Sequence, residues 1–312
     1  MTKASLHILQ AKMRRLARWV SSVLFYEHWM VGFVDQPIAN APTWKKAPAI
    51  RWLMPFEKHR YLADPFPWPN RPDRFLCEEY DTRTRQGHLI AVSLNASGIA
   101  AEQKLNLPLQ GHLSFPFSFA HKGHIYLLPE SSIDGRLCLF RWHEEAWQWD
   151  LISTLFENRP VADAAFFEKD GLLWISFTDV SENHHNNLHL MFASDLGGPW
   201  QQHPANPVQT GVQHSRNGGA VFQAGGRLYR PAQDCSTVYG GALRIMEIIT
   251  CTPQAYVEKE VTYIAPSSRD YPHGFHTITA FGDKCLVDGM RLTFSCRLLC
   301  SKIARRLFRW WF

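Results

Sequence analysis

The sequence predicts an all-β fold: a five-bladed β-propeller with short N- and C-terminal amphipathic helices. Three observations carry this. A short apolar strand, a polar turn and a second strand ending in polar residues recur about every fifty residues, the period of propeller blades. The turns inside the repeat, Lys122-Gly123, Lys169-Asp170-Gly171, Gly225-Gly226 and Gly282-Asp283, have the chemistry of tight hairpins. The 12 tryptophans in 312 residues favour strands over helices.

Residues 1–25 read as a basic amphipathic helix. Leu6, Leu9, Met13, Leu16 and Val20 fall on one face, and Lys12, Arg14, Arg15 and Arg18 on the other. Such a helix either lies on an anionic membrane or caps its own domain. A secretory signal is disfavoured because Glu27 and His28 interrupt the apolar run. Trp29–Val34 and Ile50–Leu53 read as strands that complete the last blade, because the fifth repeat is short after Asp288-Gly289. Strands from both ends would then close the ring and remove its open edges.

The propeller is expected over residues 26–290. Its five copies begin at Leu62-Ala63-Asp64-Pro65-Phe66, Ser114-Phe115-Pro116-Phe117, Val161-Ala162-Asp163-Ala164, Asn217-Gly218-Gly219-Ala220 and His276-Thr277-Ile278-Thr279. Outer strands are read at His88–Leu94, Leu137–Trp142 with Trp147–Trp149, Leu188–Ala193 with Trp200–His203, and Ala242–Ile248. Residues 291–312 form a second basic amphipathic tail ending in Trp310-Trp311-Phe312, which suits a membrane interface. No stretch is long and apolar enough to span a bilayer.

The formal charge of +5 hides a division. Residues 1–20 carry +5 and residues 291–312 carry +6, which leaves −6 on the body between them. An acidic body argues against nucleic acid as partner, since phosphate needs basic charge on the reading surface. The seven cysteines are scattered without a Cys-x-x-Cys pair, so a reducing compartment fits better than a disulfide framework. A cytoplasmic protein peripheral to the membrane is the expected location.

Polar residues at the ends of core strands converge on a propeller's axis. Asp64, Glu79, Glu130, Asp163, Asp234, His276 and Asp288 are the candidates. Several carboxyl groups around one funnel suit a polyhydroxyl ligand or acid–base work on a glycosidic bond. The alternative is that some of them tie neighbouring blades together by accepting backbone hydrogen bonds. Arg216, Arg230 and Arg244 cluster around blade four, where they either clamp an anionic group or pair with Asp234 and Asp288. His184, His185 and His189 read as a solvated loop rather than a metal site. No metal or other cofactor is expected.

Tyr61–Phe66 resembles the Ala-Asp-Pro signature of the five-bladed glycosidase propellers of the arabinanase and β-xylosidase type. A narrower resemblance rests on Phe75–Asp81, Leu228–Cys235, Tyr239–Arg244, Gly274–Thr277 and Val287–Gly289, with Arg230-Pro231-Ala232-Gln233-Asp234 its most specific part. These segments resemble the N-terminal propeller domain of plant glucosamine inositolphosphorylceramide transferase, whose bacterial relatives stand alone or are fused to formyltransferase-like domains. The resemblance covers roughly residues 25–290.

The glycosidase likeness implies an inverting mechanism with Asp64 as base. The acid would be Glu130 or Asp163, although blade two has Ser114-Phe115-Pro116 where an Asp-Pro is expected. The narrower likeness implies glycan or glycolipid assembly, with a carbohydrate or glycolipid and a glycosyltransferase or formyltransferase as partners. The strand ends and the arginine cluster make Glu79, Arg216, Arg230, Gln233, Asp234, Arg244, His276 and Asp288 the expected ligand contacts, and the basic termini add an anionic membrane surface as a partner. Three classes therefore stand: a carbohydrate-binding or -processing propeller, an inverting hydrolase, and a non-catalytic scaffold.

Overall fold

A computed structural model describes residues 24–54 and 56–294. The basic segments read as amphipathic helices lie outside the described residues, apart from the last two residues of the first segment and the first four of the second. The chain divides into two compact units. Trp29–Gly289 is the propeller. In the other unit, residues 1–28 and 290–312, the Phe25 and Phe294 rings meet edge to face at 5.9 Å.

The described residues form strands and one short 3-10 helix, Ile38–Thr43. The first strands are β1 (Phe25–Val34) and β2 (Arg51–Trp52). Blade one is β3 (Arg60–Pro67), β4 (Arg74–Asp81), β5 (Gln86–Asn95) and β6 (Gly98–Lys104). Blade two is β7 (Ser114–His121), β8 (His124–Glu130), β9 (Leu137–His143) and β10 (Gln148–Phe156). Blade three is β11 (Val161–Lys169), β12 (Leu172–Asp179), β13 (Asn187–Ala193) and the short β14 (Gln201–Gln202) and β15 (Gln209–Thr210), which both pair with β13. Blade four is β16 (Phe222–Ala224), β17 (Arg227–Asp234), β18 (Ala242–Cys251) and β19 (Tyr256–Ile264). Blade five runs β2-β1-β21-β20, with β20 (Ile278–Phe281) and β21 (Lys284–Phe294). The early strands do complete the last blade, and the ring closes.

The hairpin turns take the left-handed conformations their residues suit. Lys122 and Gly123, Asp170 and Gly171, and Gly225 and Gly226 all have positive φ. Apolar side chains fill the spaces between blades. Phe66, Phe115, Phe117, Phe119, Phe166 and Phe177 belong to one buried cluster, with Phe119 stacked on Phe166 at 4.1 Å. Arg230 is also wholly buried; it bonds both oxygens of Glu258 at 2.5 and 2.9 Å and the His214 carbonyl at 2.6 Å. A buried guanidinium needs that full set of acceptors to offset its lost hydration.

One local device recurs in the inner strands. In β3, β7 and β11 the pairing with the second strand slips between Ala63 and Phe66, Ser114 and Phe117, and Ala162 and Ala165. Within each bulge one residue is left-handed: Asp64 (φ 51°), Phe115 (φ 42°) and Asp163 (φ 50°). Aspartate tolerates this region, whereas phenylalanine is strained there. Phe115 thus occupies in blade two the place that Asp64 and Asp163 hold in blades one and three.

Candidate functional site

The bulges aim backbone and side chains at carboxyl groups of the preceding blade. The Asp64 N–H donates to Asp288 Oδ2 at 3.0 Å, the Phe115 N–H to Asp64 Oδ2 at 3.3 Å, and the Asp163 N–H to Glu130 Oε2 at 3.2 Å. Asp64, Glu130 and Asp288 therefore link neighbouring blades. All three, with Asp163 and His276, are buried polar residues.

Two positive groups sit among these acids. His276 Nδ1 lies 2.7 Å from Asp288 Oδ1, and its Nε2 lies 3.3 Å from Asp64 Oδ1. Burial alone would depress the imidazole pKa, but Asp288 and Asp64 outweigh it and push the value up to about 9. A pKa in that range favours the protonated ring, which hydrogen-bonds Asp288 through Nδ1 and forms an ion pair with Asp64 on the Nε2 side. Trp29 stacks on it at 3.9 Å, and the Tyr239 ring stands edge-on at 5.5 Å. Arg216 donates through Nε to Asp163, lies 3.6 Å from Glu130 Oε2, and covers the Tyr239 ring at 5.1 Å. Gln233 Nε2 donates to Asp163 Oδ2 at 2.9 Å, and Asn217 Nδ2 donates to the Asp163 carbonyl at 2.7 Å. Thr277 Oγ1 donates to Asp64 Oδ1 at 3.0 Å.

Burial raises the acids. Asp64 is pushed to about 6, with the charges of Asp288 and Asp163 adding to burial and His276 opposing it. Asp163 is pushed to about 7 by burial and Glu130, against the pull of Arg216. Asp64, His276 and Asp288 bring ligand atoms within 4.8 Å of one another, a geometry that admits a metal ion.

Glu78 was not among the residues singled out from the sequence. It is buried on β4, and burial followed by the charges of Asp64, Glu130, Asp288 and Asp163 holds its carboxyl well above the usual range. Its Oε1 has no hydrogen-bond partner, alone among the buried carboxyl oxygens of the described residues. His112 Nδ1 accepts the Gly87 N–H at 2.9 Å, so its Nε2 carries the ring proton and faces Glu78 Oε1 from 3.4 Å.

Several expected site residues lie elsewhere. Glu79, the neighbour of Glu78, projects from the opposite face of β4 to Arg60 at 3.2 Å and His88 at 3.7 Å. Asp234 is bound by Arg244 at 2.7 and 2.9 Å, and Arg244 also pairs with Glu260. Arg230 serves Glu258, as described above. Side chains alternate along a strand, so Arg230 and Asp234 share one face of β17 while Gln233 takes the other. The histidine loop is not simply solvated: His185 Nδ1 accepts from Arg216 at 3.3 Å, and its ring packs on Tyr239 at 5.6 Å. His189 is buried and meets Glu182 at 3.1 Å. Tyr239 and Trp29 were missed as site residues, although Tyr239-Gly240 lies within a quoted motif. Gly240 (φ 58°) has no room for a side chain, since a Cβ would lie 2.6 Å from His276 Cβ and 2.8 Å from Trp29.

Comparison with known proteins supplies the family. The sequence profile described as glucosamine inositolphosphorylceramide transferase 1, N-terminal, matches residues 37–276. This chain belongs to that family. Glucosamine inositolphosphorylceramide transferase 1 of Oryza sativa is 31% identical over 233 residues, 71% of this chain and 31% of the relative. The Arabidopsis thaliana protein of the same name is 32% identical over 217 residues, 67% of this chain and 28% of the relative. The chain thus spans about a third of the length of these curated relatives. Among solved structures, the catalytic domain of a GH62 α-L-arabinofuranosidase from Coprinopsis cinerea superposes with a TM-score of 0.51 at 12% identity, covering 83% of each chain. An exo-β-1,3-galactanase from Clostridium thermocellum gives 0.50 at 9% identity, covering 70% of this chain and 53% of its own. At such identities the likeness is one of fold.

Proposed function

We propose that the propeller binds a hexosamine at the axial cluster, as a carbohydrate-binding or carbohydrate-processing module in glycan or glycolipid assembly at a membrane surface. The observation that carries this is the charge imbalance. Asp64, Glu130, Asp163 and Asp288 are met by Arg216 and the His276 ring alone among cationic groups, and Glu78 adds a fifth acid that meets only His112, whose pKa burial lowers. Protons partly make up the difference, as the raised carboxyl values require. An ammonium group on a sugar would replace those protons, and Oε1 of Glu78, buried without a hydrogen bond, is the acceptor for it. Sugar hydroxyls would find acceptors in the same acids, and the family name adds glucosamine as the first ligand to try.

Inverting hydrolysis with Asp64 as base and Glu130 or Asp163 as acid is less favoured. Asp64 Oδ1 and Oδ2 already accept from Thr277 and Phe115, and both oxygens of Glu130 are engaged by Ser132 and Asp163. Each of these oxygens keeps a second lone pair that a sugar hydroxyl can use, but a general base must also be free to aim one at the attacking water, and the bonds to neighbouring residues fix these carboxyl groups in place.

Calorimetric titration with glucosamine, N-acetylglucosamine and glucose tests the reading. Glucosamine should bind best and release protons, seen as a heat that varies with the ionisation enthalpy of the buffer. Equal affinity for all three sugars would sink the amine argument. Turnover of glucosamine-containing glycosides would separate processing from binding. The membrane location rests on the basic terminal sequences, and a cytoplasmic compartment on the scattered cysteines that suit a reducing milieu. Sedimentation with anionic vesicles, weakened by salt and lost on removing residues 295–312, is the expected result. Equal recovery with neutral vesicles would count against it.

A further inference from the structure

Four indoles gather where blades one and two meet: Trp68 in the loop between β3 and β4, and Trp142, Trp147 and Trp149 on the β9–β10 hairpin. Trp68, Trp142, Trp147 and Trp149 wall a cleft of about 90 Å³ that also takes in Gln103 and Gln148. Trp142 stands edge-on to Trp68 at 4.8 Å and to Trp147 at 4.9 Å. Trp68, Trp142 and Trp149 are buried, while Trp147 is 41% exposed.

Two features exceed what packing needs. The Trp142 indole N–H donates to Glu144 and that of Trp147 to Gln103, but the Trp68 Nε1 is buried with no partner. A buried donor left unsatisfied is costly and rare. Trp147 also has a left-handed backbone (φ 53°) at the end of the turn that its N–H closes on the Glu144 carbonyl. That place in a hairpin suits glycine or asparagine, and a bulky residue there is strained. The chain keeps a large, half-exposed ring at a position that disfavours it.

We propose that this cleft is a second carbohydrate site, seating one uncharged pyranose ring of a glycan against Trp147. Ring C–H groups stack on an indole face, as the flat apolar side of a sugar requires. A hydroxyl reaching down beside Trp68 supplies the missing acceptor. The Gln103 and Gln148 amides at the rim give paired donors and acceptors for the remaining hydroxyls. Arg71 and Arg74, which lie over Trp147 at 5.7 and 5.3 Å, are matched by Glu144 and Asp73, which leaves Lys104 as the single charged residue of the lining, beside nine uncharged ones. Its volume fits part of one ring, not a helix or a strand. This site does not depend on the axial reading; it gives the propeller a second grip on an extended glycan.

Tryptophan fluorescence, titrated with cellotetraose, xylotetraose and chitotetraose, is the test. At least one oligosaccharide should change the emission saturably. Trp147→Gly should weaken that binding about tenfold or more, the loss of roughly one stacking contact, while the melting temperature holds or rises because glycine suits φ 53°. Trp68→Phe, which removes the N–H and keeps most of the ring, should weaken binding several-fold. Glu78→Gln, which alters the axis, should leave this titration unchanged. The proposal is overturned if no oligosaccharide binds at millimolar concentration, if Trp147→Gly binds as the wild type does, or if neutral lipid vesicles produce the same emission change. Should Trp147→Gly fail to fold, an unchanged affinity in Trp68→Phe overturns it alone.

Discussion

Replacing Glu78 by glutamine separates a carboxyl kept neutral by its surroundings from one that is ionised and paired. The amide has almost the same shape, so packing survives. Glu78 is fully buried and its carboxyl lies well above the usual carboxylate range. Between the ordinary value and the raised one, the folded protein holds a proton that the unfolded chain releases. Stability in that window therefore falls as pH rises, by about 1.4 kcal/mol for each pH unit per proton. Asp64, raised to about 6, and Asp163, raised to about 7, add slopes of the same sign above pH 4. His276, raised to about 9, is also a folded-state proton, and its contribution is lost as pH climbs from 6.5 through 9. The wild type should lose stability steadily from pH 5 to 9. Glu78→Gln removes one of these slopes, so its stability relative to wild type should improve by about 1.4 kcal/mol per pH unit across the Glu78 window. Urea unfolding at pH 5, 6, 7 and 8 measures this. The same variant should bind glucosamine at least about tenfold more weakly, since a hydrogen bond to a charged group is worth about 1.5–3 kcal/mol. A difference between the two proteins that stays flat with pH, or undiminished glucosamine affinity, would refute the reasoning.

Other changes probe the same frame. In Gly87→Ala the new Cβ would lie 2.2 Å from Glu78 Oε1 and 2.6 Å from the His112 ring, so it should displace the carboxyl and weaken glucosamine binding as Glu78→Gln does; an unchanged titration would show that Glu78 does not touch the ligand. Asp64→Asn turns one acceptor into a donor that faces either the Phe115 N–H or Thr277, and should cost about 1–3 kcal/mol in urea unfolding besides weakening binding. Arg230→Met strands the buried Glu258 and should destabilise by about 3–5 kcal/mol. The double change with Glu258→Leu should recover much of that loss, and a merely additive double variant would contradict the pairing.

Blade number and closure were legible because the hairpin turns are chemically loud and the inner strands apolar. Two outermost strands, β6 and β19, went unread. Their sequences, such as Gly98-Ile99-Ala100-Ala101-Glu102-Gln103-Lys104, are largely solvated and lack a clear alternating pattern. Asp64 and Asp163 lie in the bulges of β3 and β11, Glu130 ends β8, Asp288 sits inside β21 and His276 precedes β20, and the repeat register is what groups them. Glu78 escaped notice beside Glu79 for a physical reason. Phe75, Leu76 and Cys77 are buried on both faces of β4, so alternation there names neither face as axial. Gln233 and Asp234, both named from the sequence, face opposite sides of β17 for the same reason. Phe115 concealed its equivalence to the two aspartates because the shared property is a backbone conformation, which residue identity does not reveal.

Blade five joins β1 and β2 to β21, strands separated by almost the whole described chain. During synthesis β1 leaves the ribosome long before β21 exists. The earliest strands, paired only with each other, must wait with the apolar inner edge of β1 open while four blades form behind them. Such distant pairing is slow and leaves a strand edge exposed to other chains. The closing step is thus both the last event of folding and the moment at which His276 and Asp288 meet Asp64, so a chain released early has neither a sealed ring nor an axial site.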